Sequence, residues 1–565
     1  MDNKTPIYQA KVEEGALNPE IEALAIAYSQ ELLASRKNYT PIHVDEIASR
    51  LAKFYEKIRK IIDWKDDNAL RRGAIERILK RIVFPKLNRV SSLEAEKLAE
   101  TITVELIRGG HLPNNTIPRE KLSTLSGAIE KYIYFLKHAS NHFKPNEIKD
   151  KTNFNDLIME IAACEIEELL VNPIKEYGII TAAAKSLDQR ISILPTKTIS
   201  PEEKQKQAYI AAARAIYGLD DKFLIYQLLK KQYPDWQQPS QELKETIARE
   251  LPETLKKLDQ EINQPISKKF NLVAERVDTV FVLLDDVLET LKDQPEKITQ
   301  TLKDKTEFTR LISEAYEKRN QTLKTRLLHS AIFSTLSVFL SNWFTFFVVE
   351  VPLAKLFYEG FSLTAAIVDF LIPTAIMFFL VIIIRPPKED NFQKAISTTL
   401  GFVYQNEKQE QYQIQISQKR FSFFKMIMTI IYGLSTILSF GGIAYIFYIA
   451  KLPITSVIFD TFTIALTVFA AVAIKNKSKE LSIDERTSIQ DFLLDIITVP
   501  VAKVGSVLAK KWKEYNIIST FFNFVIETPL ALTLDFIQDW SEYIKEKRAE
   551  LHWDFTFRPK LFNNN

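Results

Sequence analysis

The stretch AAIVDFLIPTAIMFFLVIII, residues 365–384, carries one charged residue, Asp369, in a segment long enough to cross a lipid bilayer. A helix needs about 20 mainly apolar residues to cross the hydrocarbon core. A second stretch, VIFDTFTIALTVFAAVAI at residues 457–474, repeats this arrangement with Asp460. The two stretches decide the expected fold, because helices that are this long and this apolar are rare in water-soluble proteins.

Four segments of the chain reach spanning length. The predicted membrane spans are residues 327–349, 361–384, 426–450 and 453–474. Together they predict a four-helix transmembrane domain over residues 326–475. The alternative is that the four segments form the core of one large water-soluble helical domain, but their nearly complete lack of charge favours the membrane.

Basic residues lie at one end of every predicted span, and lysine and arginine stay on the cytoplasmic side of a membrane. The connections at the other end, residues 350–360 and 451–453, are short and nearly neutral. The pattern predicts a multi-pass protein of the cell (inner) membrane, with both termini and a loop at 386–420 in the cytoplasm. The residues that carry it include Arg326, Arg385, Arg420 and Lys475.

The two halves of the apolar region resemble each other, which indicates a duplicated helical hairpin. Each half has a basic flank, a span, the tripeptide AKL and a second span that contains the aspartate. The distance from the aspartate to the next base is sixteen residues in one copy and fifteen in the other. The alternative is that any two hairpins would share these features, since AKL is short enough to recur by chance.

Asp369 and Asp460 are the candidate membrane site. An ionised carboxylate near the centre of a bilayer costs at least about 2.5–3.5 kcal/mol on insertion scales. Three interpretations stay open: a pair that binds a cation or relays a proton, polar packing against hydroxyl groups of neighbouring helices, or a position in the hydrated interface.

The region before the first span reads as consecutive amphipathic helices, so the expected fold class is all-α with a large cytoplasmic helical domain. The predicted limits are residues 1–195 for this domain, 196–325 for a helical stalk and 476–565 for a cytoplasmic, amphipathic tail at the membrane surface. Within the tail, residues 516–537 are predicted to lie on the inner surface, and the alternative is a fifth span.

The stalk contains an apolar seam whose members are spaced alternately by three and four residues, as paired helices require. Adjacent apolar residues widen the seam and favour a helical bundle, with residues 297–325 running back as a helix into the first span. The partner could be the same chain or a second subunit. The seam consists of Phe270, Val273, Val277, Val280, Leu284, Val287 and Leu291.

Five basic residues form a candidate surface on one predicted helix. Anionic lipid or nucleic acid could bind such a surface, and a solvated polar face explains it equally well. Binding of nucleic acid is not expected, because no aromatic base-stacking motif accompanies the charge. The residues are Arg71, Arg72, Arg77, Lys80 and Arg81.

No motif for catalysis, a cofactor or a metal ion is recognisable. The chain of 565 residues has one cysteine, Cys164, and only 13 glycines, which argues against disulfides, cysteine-based zinc sites and phosphate-binding loops. The expected function is therefore a non-enzymatic scaffold that tethers a cytoplasmic helical domain to the membrane. The alternative is a cation- or proton-handling channel or transporter that uses the two aspartates. Expected partners are membrane lipid and another protein or a second copy of the chain, and no small-molecule substrate is indicated.

Overall fold

The computed structural model is predominantly helical, which confirms the expected helical class. The structure describes residues 15–36, 39–44, 67–83, 92–139, 148–195, 199–357, 363–384, 387, 389–405, 411–415, 423–449, 454–483, 489–515, 540, 543, 544 and 547. The stretch 516–537, predicted to lie on the membrane surface, falls outside these residues.

In chain order, the elements of the first half are α1 Pro19–Ser35, α2 Asp67–Val83, α3 Ser92–Arg108, α4 Lys121–His138, α5 Ile148–Val171, α6 Ile174–Arg190, β1 Ile191–Leu194, α7 Pro201–Tyr217, α8 Asp221–Gln232, α9 Gln241–Ile262 and α10 Pro265–Ala274. The second half contains α11 Asp278–Thr290, α12 Ile298–Lys303, α13 Lys305–Thr345, a π-helical turn Phe346–Glu350, α14 Val351–Phe357, α15 Leu363–Ile382, α16 Glu389–Val403, β2 Tyr412–Gln415, α17 Phe423–Ile449, α18 Ile454–Ser478 and α19 Ile489–Tyr515.

The described residues form two compact units that do not follow sequence order. Unit 1 takes in residues from 15–33, 175–217 and 266–515, whereas unit 2 takes in residues from 34–174 and 218–265. Unit 1 therefore joins part of the N-terminal half to the apolar helices. This division differs from the consecutive domains expected from the sequence.

Unit 2 is a helical bundle with α5 at its centre. Helix α5 packs against α2, α4 and α8. The helix starts are fixed locally: the side chain of Asp220 accepts a hydrogen bond from the amide of Phe223, and Ser240 does the same for Leu243. Such caps satisfy amide groups that have no partner within the helix.

A buried ion pair crosses the middle of unit 2. The Lys131 ammonium on α4 lies 2.6 Å and 2.8 Å from the two carboxylate oxygens of Glu165 on α5, and both side chains are almost completely buried. The Tyr132 hydroxyl and the Trp236 indole N–H also donate to Glu165, at 2.6 Å and 2.9 Å. Burial lowers the pKa of Lys131, and the Glu165 charge opposes this lowering. The network joins α4, α5 and the loop between α8 and α9.

In unit 1, the segment 386–420 is more than a connecting loop. It contains α16, which packs against α11 and α13, and it contains β2. Strand β2 pairs in parallel with β1, with Ile191 opposite Tyr412 and Leu194 opposite Gln415. The sequence analysis predicted neither the strands nor this pairing, because each strand has only four residues.

The apolar seam is not carried by one continuous helix. Helix α10 ends at Ala274 and α11 begins at Asp278, so the helix is interrupted inside the predicted seam. All seam residues except Leu291 are nevertheless buried. Helix α11 packs against α7, α13 and α16, and the Phe281 ring meets the Phe402 ring at 5.4 Å. The expected bundle therefore forms within this chain.

Helix α13 is continuous from charged sequence into apolar sequence, as predicted, but it begins at Lys305 and not at residue 297, because α12 ends at Lys303 and Asp304 is extended. Its 41 residues extend for roughly 60 Å at 1.5 Å per residue. The side chain of Asp304 caps its start by accepting from the amides of Thr306 and Glu307. No charged residue occurs between Arg326 and Glu350.

The apolar helices of unit 1 pack against one another, and we call them together the apolar layer. Helix α15 lies against α13 and α18, while α19 lies against α17 and α18. Helix α19, which belongs to the segment 476–565 predicted as a cytoplasmic tail, is a member of this layer. Three helical stretches in the part of the chain described are long and apolar enough to cross a membrane: Lys305–Val348, Thr429–Ile449 and Val457–Ser478.

Replacing Lys131 with Met is expected to destabilise unit 2 by about 3 kcal/mol, because the Glu165 charge would stay buried without its cation. Hydrogen exchange of α4 and α5 in the purified full-length protein measures this loss. Lys151→Met on the exposed part of α5 is the control, with an expected change within about 0.5 kcal/mol. Equal exchange in the two variants would contradict a stabilising role for the ion pair.

Candidate functional sites in the apolar helices and at their base

Asp369 and Asp460 lie on neighbouring helices. Asp460 is in α18 and is 3% exposed, whereas Asp369 is in α15 with a side chain outside the described set. Helices α15 and α18 pack against each other in the same direction. Ile372 and Ile376 pack on the cluster that contains Ile464 and Ala465, and further along both helices Met377 and Val381 share a cluster with Ala471 and Ile474.

The helical rise gives the relative heights of the two aspartates. Asp369 precedes Met377 by eight residues, or about 12 Å, and Asp460 precedes Ala471 by eleven residues, or about 16 Å. With Met377 and Ala471 taken as level because both belong to one buried cluster, the two aspartates lie within about one helical turn of each other in height. The backbone arrangement is compatible with a pair contributed by equivalent helices.

Helix α13 and the π-helical turn that follows it add two polar residues that the sequence analysis missed. Val338 packs in the cluster with α15 and α18, and Asn342, Phe346 and Glu350 follow it at intervals of four residues. Residues four apart share one face of a helix. Asn342, Phe346 and Glu350 are buried, at 5%, 4% and 2% exposure. The four-residue spacing from Val338 to Glu350 is the sequence pattern that could have indicated an amide and a carboxylate on the buried face.

These polar residues could supply oxygen ligands or a proton site. Carboxylate and amide oxygens suit hard cations and protons. The Asn342 side-chain nitrogen finds no hydrogen-bond acceptor within the described residues. Those same residues contain no group of three histidine, cysteine, aspartate or glutamate side chains arranged to hold a metal ion.

A second candidate site lies at the base of the apolar helices, and we call it the junction. It is a pocket of about 640 Å³ lined by α11, α13 and the segment that follows α18. Its lining mixes both charges and includes Asp286, Glu289, Lys318, Arg319, Arg326 and Glu480. The apolar part of α13 begins directly after Arg326.

Arg319 is the central cation of the junction. Its guanidinium donates to both carboxylate oxygens of Asp286, with the Nη2–Oδ1 distance 2.9 Å. It also lies 3.5 Å from Glu480, whose other oxygen is 3.8 Å from Arg326. Burial by itself would lower the pKa of Arg319, but the Asp286 carboxylate outweighs it and the pKa is raised.

The segment after α18 is held by polar contacts from three helices. The Asn391 side chain on α16 donates to the Leu481 carbonyl at 2.5 Å and accepts from the Ile483 amide at 2.8 Å. The Thr279 hydroxyl on α11 donates to the Glu480 carbonyl at 3.2 Å. These contacts and the Arg319 ion pair attach the end of α18 to α11, α13 and α16.

The junction region contains an acid that titrates near neutral pH. Burial raises the pKa of Asp278 to about 7, although its hydrogen bond from the Thr279 amide opposes the shift. The nearby charges of Glu275 and Glu480 contribute to this rise. Asp278 is the first residue of α11, beside the break in the seam.

The five residues of the expected basic surface are all on α2. Arg72 is buried, so the expectation of a surface position is wrong for this residue. Its guanidinium lies 3.0 Å from Glu167 on α5 and 5.3 Å above the Phe223 ring. The shortest distance between Arg71 and Glu167 is 3.8 Å.

Of the other three basic residues, Arg77 is partly buried. Lys80 lies 2.8 Å from both Glu76 and Asp156, and Arg81 lies 2.6 Å from Glu105. Acidic side chains of unit 2 therefore compensate much of this positive charge. Binding of anionic lipid by the set stays a prediction.

Comparison of the chain with protein-family models, with curated proteins and with solved structures found no match. The functional argument therefore rests on the residues themselves. The sequence analysis treated Arg326 only as an orientation signal and did not single out Arg319, since their partners Glu480 and Asp286 are far away in the chain.

Asp278→Asn is expected to change how stability depends on pH. The wild-type Asp278 carboxyl binds its proton more tightly in the folded state than in the unfolded state. Its stabilising contribution to the free energy of unfolding is therefore complete below about pH 4 and is lost as the pH rises through about 7. Between pH 5.5 and 8.0 the free energy of unfolding of the wild type should fall by on the order of 2 kcal/mol relative to that of the variant, since a tenfold change in proton affinity is about 1.4 kcal/mol.

Thermal unfolding of both proteins in the same detergent across this pH range measures the difference. Asp390→Asn, at an exposed position on α16, is the control and should run parallel to the wild type. A pH-independent difference between Asp278→Asn and the wild type would contradict the raised pKa.

Proposed function

We propose that this protein is a multi-pass membrane scaffold that holds its charged helices at the cytoplasmic surface. The four predicted spans correspond to the apolar part of α13 and to α15, α17 and α18. In this proposal both chain termini and the segment 386–420 are cytoplasmic, because the basic residues flank the spans on that side.

The wide apolar surface of these helices supports a position in lipid. Monomeric water-soluble proteins rarely expose large continuous apolar patches. The large apolar side chains of α13 that are at least 40% exposed all lie beyond Arg326: Leu328, Ile332, Phe333, Leu336, Phe339, Leu340, Trp343 and Phe344.

The continuity of α13 through the junction is the observation that carries the scaffold role. A single helix contributes both to the charged part of unit 1 and to the apolar layer, and Arg319 holds α11 and the end of α18 to it. The charged helices of unit 1 are thereby fixed to the apolar ones. Such rigidity suits a protein that presents a surface to partners.

Arg319→Met is expected to loosen this attachment. Losing hydrogen bonds to a charged group costs about 1.5–3 kcal/mol, which corresponds to roughly tenfold to hundredfold faster hydrogen exchange in α11 and in residues 478–483. The measurement is made on the full chain in lipid nanodiscs. Arg310→Met is the matched control, because Arg310 is exposed and pairs only with Glu307 and Glu314 on its own helix among the contacts described.

Unchanged exchange in Arg319→Met would contradict the coupling. The scaffold role itself predicts protein partners that crosslink to the full chain in native membranes. These partners should stay attached when Asp369 and Asp460 are both replaced by Asn. A chain that crosslinks to no protein would argue against the scaffold.

A second candidate function is the handling of a cation or a proton, and the burial of polar groups in the apolar layer favours it. Asp460 and Asn342 are buried there, Glu350 is buried at the first position of the connection 350–360, and α15 places Asp369 at a similar height to Asp460. Ionisable residues inside membrane helices commonly mark ion or proton pathways.

If this second function is correct, Asp369→Asn together with Asp460→Asn should reduce ion or proton flux in liposomes. A barrier raised by about 1.4 kcal/mol lowers a rate tenfold, so a reduction of about tenfold or more is expected. Asp390→Asn is the control with unchanged flux. Equal flux in the double variant would remove the aspartates from transport, and absence of flux in the wild type would refute this function.

A further inference from the structure

We infer that α19 crosses the membrane beside α18, with one face against lipid acyl chains, and that it carries the chain to the outer side at Tyr515. This inference rests on the proposed membrane position of α17 and α18. It replaces the cytoplasmic amphipathic helix predicted from the sequence with an additional span.

Two contacts show that α19 runs antiparallel to α18. The Lys475 ammonium, near the end of α18, lies 2.9 Å from Asp495, near the start of α19. Ten residues further along α19, Gly505 lies so close to α18 that a Cβ atom there would be 2.0 Å from the Ala465 carbonyl oxygen.

The residue numbers of these two contacts give the length over which α18 and α19 run side by side. Between the two contacts α19 advances from 495 to 505 while α18 goes back from 475 to 465, or about 15 Å along each helix. Another ten residues bring α19 to Tyr515 and α18 to Thr455, one residue from its start. If α18 spans the bilayer, α19 therefore has the length and direction to span it as well.

A proline in α19 has its missing hydrogen bond supplied by α17. Pro500 has no amide hydrogen, so the Ile496 carbonyl lacks its usual helical donor. The Ser435 hydroxyl on α17 donates to this carbonyl, and Ser439 donates to the Ile497 carbonyl at 3.4 Å. In water such a carbonyl would be hydrated, but in lipid it needs a donor from the protein.

The composition of α19 allows insertion. Residues 492–509 contain ten Leu, Ile, Phe or Val side chains and only two charged ones, Asp495 and Lys503. Asp495 is paired with Lys475. Ten such apolar residues contribute roughly −3 to −6 kcal/mol on insertion scales, which offsets about 2.5–3.5 kcal/mol for a lysine at the centre.

The outward face of α19 is mainly aliphatic in the part that would meet lipid acyl chains. Its exposed large apolar side chains are Ile496, Ile497, Val499 and Val507, and the exposed Lys503 lies among them, four residues from Val499 and from Val507. The crossing places Lys510, Lys511 and Lys513 on the outer side, against the charge bias that orients the other spans. Helix packing and charge bias therefore make opposite predictions for the end of α19, and an experiment can decide between them.

Cysteine labelling with a membrane-impermeant maleimide in intact cells tests the crossing. The wild type serves as background, because Cys164 is buried and burial raises its pKa. Lys513→Cys and Glu514→Cys, at the end of α19, should be labelled from outside. The matched control Gln490→Cys, at its start, should be labelled only after permeabilisation.

Lys451→Cys, between α17 and α18, separates this inference from the proposed function. If Lys451→Cys is labelled from outside but Lys513→Cys and Glu514→Cys are both labelled only after permeabilisation, the crossing of α19 is overturned. The four proposed spans would then remain in place. Absence of outside label at 451, with label after permeabilisation, would overturn the proposed orientation and the crossing with it.

Discussion

The ion pair between Arg319 and Asp286 is the contact on which the arrangement of unit 1 depends. Arg319 lies on α13, eight residues before the apolar sequence begins, or about 12 Å along the helix. Its guanidinium also reaches Glu480, just past the end of α18. Separating these groups would leave a partly buried charge without its partner, which is costly in a region of low dielectric constant. The charged and apolar helices are therefore held in one orientation by directional contacts.

In unit 2, a buried ion pair also holds helices in one arrangement. Lys131 and Glu165 are almost completely buried, and the donors from Tyr132 and Trp236 satisfy the carboxylate. Apolar contacts supply most of the stabilisation of a bundle but are non-directional. A network whose members all require one geometry selects the packing of α4 against α5 among alternatives of similar apolar area. The polar groups thus specify the arrangement more than they increase its stability.

The polar groups of the apolar layer are of two kinds. Ser435 satisfies the backbone carbonyl that Pro500 leaves without a helical donor, which is a structural use of a hydroxyl. Asn342 on α13, Glu350 in the π-helical turn and Asp460 on α18 are instead buried. A carboxylate in such a place is expensive to ionise, and this expense is the physical basis of the second candidate function.

The sequence by itself determined the helical class, the apolar segments and the continuity of α13, because helical periodicity and hydrophobic length are local properties. Only the tertiary structure placed α16 and β2 within unit 1, buried Arg72 beside Glu167 and set α19 along α18. An amphipathic helix has the same pattern whether its apolar face meets water-soluble helices, apolar helices or lipid. An arginine has the same charge whether it is solvated or paired. Partners distant in the chain decide between these outcomes, and no local pattern encodes them.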